Sequence, residues 1–225
     1  MSARTTHTTI ALVTAAVLIA TGCGQRQADW PDSGASAGGI CGPWYPGGDD
    51  AGAGGGYAVD QGATFPCAVW ESARLAGEDT FFNVGQLYLE TVHGQRDDKA
   101  LLIAVSARNC QPCAALIEQL AARADQIEAA GAVVLGMSRT DLQAPDEPYL
   151  DLDEAYQALA DEGWPVDRWI ALNDAEGYLP ARFDTGTPWI VVVRLDEMRV
   201  VSASNLEFPS NEDGVQQLID FISGL

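Results

Sequence analysis

Two cysteines three positions apart, in Cys110-Gln111-Pro112-Cys113, are the residues of this chain best suited to chemistry. Such a pair can hold a metal, attach a haem, or shuttle between dithiol and disulfide. A zinc site of this kind needs further ligands, and the sequence has no second Cys-x-x-Cys or Cys-x-His. Haem attachment needs a histidine directly after the pair, where Ala114 stands. Sulfur redox chemistry and a plain structural disulfide remain. Residues 113–130 are predicted helical, with Ala114, Ile117, Leu120, Ala121, Ala124 and Ile127 spaced along one face and Gly131 as a stop. Cys110 then lies at a helix N-terminus, where unpaired N–H groups and the helix dipole favour the thiolate and draw its pKa below ~8.5. Cys113 follows one turn later on the same face. Pro112 falls in the first turn, where its missing N–H costs nothing. In this reading Cys110 attacks a substrate disulfide and Cys113 resolves the mixed disulfide.

The elements that must position this pair are legible around it. Ala100-Leu101-Leu102-Ile103-Ala104-Val105 is an unbroken apolar run ahead of the motif, as expected of a strand buried on both faces. Ala132-Val133-Val134-Leu135-Gly136-Met137 is a second such run. Residues 151–162 are predicted to form another helix, capped by Asp151 and stopped at Gly163-Trp164-Pro165. A strand over 189–195, a turn at Asp196-Glu197 and a returning antiparallel strand over 198–203 follow, with a closing helix over 211–224. Gln86-Leu87-Tyr88-Leu89-Glu90 and Phe81-Phe82 read as short strands or turns. The order predicts an α/β domain in three layers, α/β/α.

Strand, Cys110-Gln111-Pro112-Cys113, helix, and a later Thr187-Pro188 opening a strand together resemble the thioredoxin superfamily over residues 81–225. The resemblance implies a thioredoxin-like fold and a thiol–disulfide oxidoreductase that needs no cofactor. It further implies that Pro188 is a cis-proline facing the cysteines, with the Thr187 backbone turned toward an extended substrate chain. Trp189, next in line, is a candidate substrate contact. Three departures qualify the likeness. Asn109 stands where thioredoxins usually carry tryptophan. The strand before the motif lacks the buried acid that serves many of them as proton acceptor, which argues against an efficient general reductase. Ala107 stands where peroxiredoxins place a threonine, and this makes a peroxidase the weaker enzyme reading. Arg108 and His93 read as surface residues, and Trp164 and Trp169 as packing.

Arg4, the apolar run from Ile10 to Ala20 and Ala20-Thr21-Gly22-Cys23 have the three-part form of an export signal. The run of about eleven residues is short for ~30 Å of hydrocarbon. Its ending resembles the lipobox of bacterial lipoproteins, which implies cleavage before Cys23 and fatty acylation there. With Cys23 assigned to lipid, four cysteines remain for an oxidising compartment. Removing the Cys110–Cys113 pair leaves Cys41 and Cys67 for each other. A bond across about 25 residues of glycine-rich chain contributes ~3–4 kcal/mol in the loop-entropy account. The expected organisation is a signal peptide over 1–22, a flexible tether over 23–40, a disulfide-stapled extension over 41–80 and the thioredoxin-like domain over 81–225.

A formal charge of −20 excludes phosphate-backbone binding, which needs a basic face, so no nucleic-acid partner is expected. No polybasic run offers electrostatic docking on anionic lipid. Acids concentrated over 138–169 read as a solvated helix face, with a partner-selecting rim as the alternative. The expected protein is a monomer, lipid-anchored in the bacterial cell envelope. Its expected partners are the disulfides of exported proteins and a thiol carrier that recharges it. The competing reading is a non-enzymatic binding lipoprotein, in which the thioredoxin fold is a scaffold and Cys110–Cys113 a permanent staple.

Overall fold

A computed structural model of the chain describes residues 45–46, 59–139, 150–173, 179, 187–204 and 207–225. The chain enters its sheet through a hairpin of β1 (Val69–Leu75) and β2 (Glu78–Asn83). Ala76 and Gly77 join them, both at positive φ (52° and 83°). Two such residues make the primed turn whose twist matches that of paired strands. Residues 69–80 thus belong to the sheet, and the expected domain boundary at Phe81 falls inside β2.

Helix α1 (Val84–Val92) replaces the short strand or turn expected around 86–90. Asn83 Oδ1 accepts the Gln86 N–H at 3.0 Å, and the Gln86 amide donates to Glu90 one turn on. Val84 and Leu87 are buried with Tyr88 packed beside them, a helical spacing that overrides the β-propensity of single residues.

The central strand β3 (Ala100–Ala107) is buried at all eight positions. It pairs in parallel with β4 (Ala132–Arg139) and antiparallel with β6 (Trp189–Arg194). The sheet runs β2-β1-β5-β4-β3-β6-β7, with β5 (Ile170–Leu172) too short to be read from sequence and β7 spanning Arg199–Ser204. Leu101, Ile103 and Val105 face a cluster that holds α1 and the preceding segment, including Tyr45, Phe65 and Trp70. Leu102 and Ala104 face the other cluster, with Leu116 and Ile117 of α2 (Gln111–Ala121), Ile127 of α3 (Ala124–Ala129), Leu159 of α4 (Leu152–Asp161) and Leu218 of α5 (Glu212–Ser223). These are the expected three layers.

The helix expected over 113–130 is broken between α2 and α3. Arg123 leaves helical geometry (φ −121°, ψ 21°), and its guanidinium meets Glu212 of α5 at 2.6 Å. The cap predicted at Asp151 is present, with Asp151 Oδ1 accepting the Glu154 N–H at 2.8 Å, and the Glu154 side chain completes a capping box. Among the described residues no helix is long and apolar enough to cross a membrane.

Gly136 on β4 lies under the buried indole of Trp164, where an added Cβ would stand 2.5 Å from a ring carbon. Gly136→Ala is expected to lower stability by ~1–3 kcal/mol, because a buried ring between strand and helix cannot swing away. Urea unfolding of the two proteins measures this, and an unchanged midpoint would contradict the packing described.

Candidate active site

The end of β3 delivers the chain to a tight turn. Asn109 adopts φ +63°, a left-handed conformation that asparagine tolerates better than most residues. Tryptophan, usual there in thioredoxins, fits that backbone less readily. The turn makes Cys110 the N-cap of α2, with its N–H donating to the Ala107 carbonyl at 3.1 Å. Pro112 sits in the first turn as expected, and Gln111 and Pro112 are exposed. Cys110 and Cys113 are disulfide-bonded, with their Cα atoms 5.2 Å apart. Both pack on Ala107. Cys110 keeps 5% exposure and Cys113 none, so an incoming sulfur meets Cys110 first.

The Thr187–Pro188 peptide is cis. Thr187 Oγ1 lies 3.5 Å from Cys110 Sγ, with the hydroxyl as donor. Two segments 77 residues apart in sequence are therefore brought together at one sulfur. Trp189 also lies at this end of β6, but it is 7% exposed and packed in the core on the α1 side. Its ring is core packing before it is a substrate contact.

No protein-family model and no curated protein matches the chain. Solved structures do. A hypothetical protein of Sinorhizobium meliloti is similar over 73% of this chain and 85% of its own, at 20% identity and a TM-score of 0.51. A candidate protein disulfide isomerase of Bacteroides thetaiotaomicron is similar over 74% of this chain and 90% of its own, at 16% identity and a TM-score of 0.51. The chain has the thioredoxin-like fold.

The other residues singled out from sequence sort as follows. Arg108 and His93 are exposed. Trp164 and Trp169 form a buried edge-to-face pair, ring centroids 5.0 Å apart. Cys67 is disulfide-bonded; Cys41, its expected partner, and Cys23, the expected lipid site, lie outside the described residues. Of the acids over 138–169, Asp151 and Glu154 cap α4, while Asp153 pairs with Arg74 at 2.7 Å. Asp141, Asp146 and Glu147 lie outside the described residues. No group of three or more potential metal ligands is assembled among the described residues.

Sequence reasoning missed Glu162. It ends α4 as the C-cap and lines a cavity of about 620 Å³ together with Arg108 and Asn109, the two residues before Cys110. Burial pushes its carboxyl up to about 7; the nearby Ser106 hydroxyl pulls it down and Asp161 pushes it up further. Ser106 Oγ stands close without reaching hydrogen-bond geometry. The only sequence signal was an acid directly before the helix stop Gly163-Trp164.

A carboxyl raised on folding holds its proton longer in the native than in the unfolded chain. Its contribution to stability is complete below the unfolded value of 4.5 and is lost as pH rises through about 7. Glu162→Gln is therefore expected to gain stability relative to wild type between those pH values and no further above them. Urea midpoints of both proteins across pH 4–8 test this, and a pH-independent difference would contradict it.

Proposed function

We propose that this chain is a thiol–disulfide oxidoreductase acting on disulfides of exported proteins, with Cys110 as nucleophile and Cys113 as resolving cysteine. The observation that carries the reading is the placement of Cys110. It caps a helix, pairs with a cysteine one turn inside, and faces Thr187 beside cis-Pro188. The helix N-terminus favours a leaving or attacking thiolate at the outer sulfur. The fully buried Cys113 is shielded from any sulfur other than that of Cys110. Thr187 can supply backbone pairing to an extended substrate beside the reactive bond. A dithiol carrier of the envelope would return the pair to its reduced form.

The reading extends to location. The export-signal pattern and the small residues before Cys23 support a lipid anchor on that sulfur, with the domain tethered by the chain between. Full-length protein is expected in the membrane fraction, and Cys23→Ser in the soluble fraction of the envelope. Membrane retention of Cys23→Ser would remove the anchor from the proposal.

The competing scaffold reading draws on the 5% exposure of Cys110 and the absence of an acid within β3. Redox equilibration in glutathione buffers, read by thiol labelling and mass spectrometry, separates the two. Opening of Cys110–Cys113 near the potential of thioredoxin-like couples, ~−270 mV, is expected, with the bond of Cys67 still closed. Cys110→Ser is expected to abolish disulfide reduction, and Cys113→Ser to accumulate the mixed disulfide. A pair that stays closed to below about −300 mV until the protein unfolds makes the disulfide structural.

A further inference from the structure

The chain leaves β3 between two differently built neighbours. β3 pairs with β6 along one edge and with β4 along the other, so Cys110 emerges between them. On the β6 side lies Thr187 beside cis-Pro188, which the disulfide chemistry above uses. On the β4 side, along α4, lies the cavity of about 620 Å³, which that chemistry does not use. Among the described residues, its lining brings four carboxyls, Asp153, Glu154, Asp161 and Glu162, against the single guanidinium of Arg108. Asn109 also lines it, and its Cα is one trans peptide, about 3.8 Å, from that of Cys110. A substrate chain held at Cys110 thus reaches the cavity within a few residues.

Acids on an exposed helix face are ordinarily only solvated. What sets this cavity apart is its buried inner wall. Side chains alternate along a strand, so Ser106 shares the face of Leu102 and Ala104, the face that α4 covers. Ser138, its register partner on β4, shares that face, while Arg139 is turned to the opposite one. The two serines are 2% and 4% exposed, and neither hydroxyl has a hydrogen-bond partner. The Ser106 hydroxyl lies beside the Glu162 carboxyl, whose Oε2 is buried and likewise unpartnered. Buried polar groups without partners are costly and uncommon in native structures. The three oxygens offer more lone pairs than their own hydroxyl protons and the indole N–H of Trp164 can satisfy. What the wall lacks is a donor.

Resting on the oxidoreductase reading, we propose that the cavity beside Asn109 is a specificity site for a basic side chain, arginine or lysine, carried by the substrate within a few residues of its disulfide. The substrate chain pairs with Thr187 on one side of the reactive sulfur and delivers the cation to Glu162 on the other. Asp153, Glu154 and Asp161 line the approach, and Glu162 with Ser106 takes up N–H groups at the inner wall. The ligand chemistry matches the deficit, because an ammonium or guanidinium has donors and no acceptor. The substrate class selected is exported proteins whose disulfides are flanked by basic residues.

The charges of the cavity rank its acids. Burial pushes the Glu162 carboxyl up to about 7, and Asp161 adds to that push against the pull of the Ser106 hydroxyl. A carboxyl in that state is short of positive charge, and an arriving cation favours its ionised form. Asp153 is already paired with Arg74 and Glu154 closes the capping box, so Asp161 and Glu162 carry most of the selection. Asp161 accepts from the Gln157 amide, and that neutral donor leaves its charge in place. Arg108, exposed on the rim, repels a second cation and limits the attraction.

The test uses the reduced full chain and short peptides whose single cysteine is bonded to a chromogenic aryl thiol. The peptides differ in one residue near that cysteine, which is arginine, its neutral isostere citrulline, or glutamate. Release of the aryl thiol on attack by Cys110 gives a second-order rate constant for each. In wild type the arginine peptide is expected to react about tenfold faster than the citrulline peptide, with the glutamate peptide slowest. Glu162→Gln and Asp161→Asn should each bring arginine to within about threefold of citrulline, and Arg108→Gln should widen the gap. Asp220→Asn should keep the wild-type ratio. It removes a charge from α5 near the far end of the sheet, where Lys99 Nζ donates to the Ser223 carbonyl. Equal rates for the arginine and citrulline peptides in wild type overturn the proposal. So does a preference that Asp220→Asn lowers as much as Glu162→Gln, which is the field of an acidic chain and not a site. Should Glu162→Gln not fold, Asp161→Asn and Arg108→Gln decide, with unaltered ratios counting against the proposal. A wild-type chain that releases no aryl thiol from any peptide refutes the oxidoreductase reading instead. Binding of the arginine and citrulline peptides, with serine for cysteine, to the oxidised chain then decides the cavity by NMR titration, and equal affinity overturns it.

Discussion

The burial of β3 is the constraint on which the rest of the molecule depends. All eight of its residues are enclosed, with β4 on one edge, β6 on the other and a helical layer over one face. A strand held on every side has one exit for its backbone, the turn at Arg108 and Asn109. That turn makes Cys110 the cap of α2 rather than a residue within it. The same pairing with β6 brings Thr187 and Pro188 to the same end of the sheet. The sulfur and its facing loop are therefore set by strand register, not by contacts between their own side chains.

The two faces of the sheet have different tasks. The α1 face is closed by large apolar groups from the N-terminal part, among them Tyr45, Phe65 and Trp70, and Tyr45 donates its buried hydroxyl to the Phe65 carbonyl at 2.8 Å. The face of α2 and α4 is also apolar along most of its length, but it turns polar at Ser106, Ser138 and Glu162. Polarity is concentrated at the end of the sheet from which Cys110 emerges. Partial burial of Glu162 there raises its carboxyl to about 7.

What the residue pattern revealed follows from how local each signal is. The Cys110 motif, the runs forming β3 and β4, the hairpin of β6 and β7, and the α5 stripe are all written within stretches shorter than twenty residues. Their periodicities match the elements found. Val84 to Val92 was harder because its apolar spacing is short and its start depends on the side chain of Asn83, a cap that reads equally well as a turn residue. β1 was hidden by glycine-rich chain before it, and β5 has too few residues to show alternation.

The sequence by itself determined the Cys110–Cys113 pair, the helix that starts there and the long strands β3, β4 and β6 around it, because these rest on spacing along the chain. Tertiary structure alone decided which remote groups meet them. Thr187 reaches Cys110 across 77 positions, and Glu162 reaches the side of Ser106 across the β4–α4 crossover. Such meetings depend on sheet order and on the side of the sheet each helix takes. Those choices are fixed by the joint burial of two apolar clusters, a property of the whole chain that no local window contains.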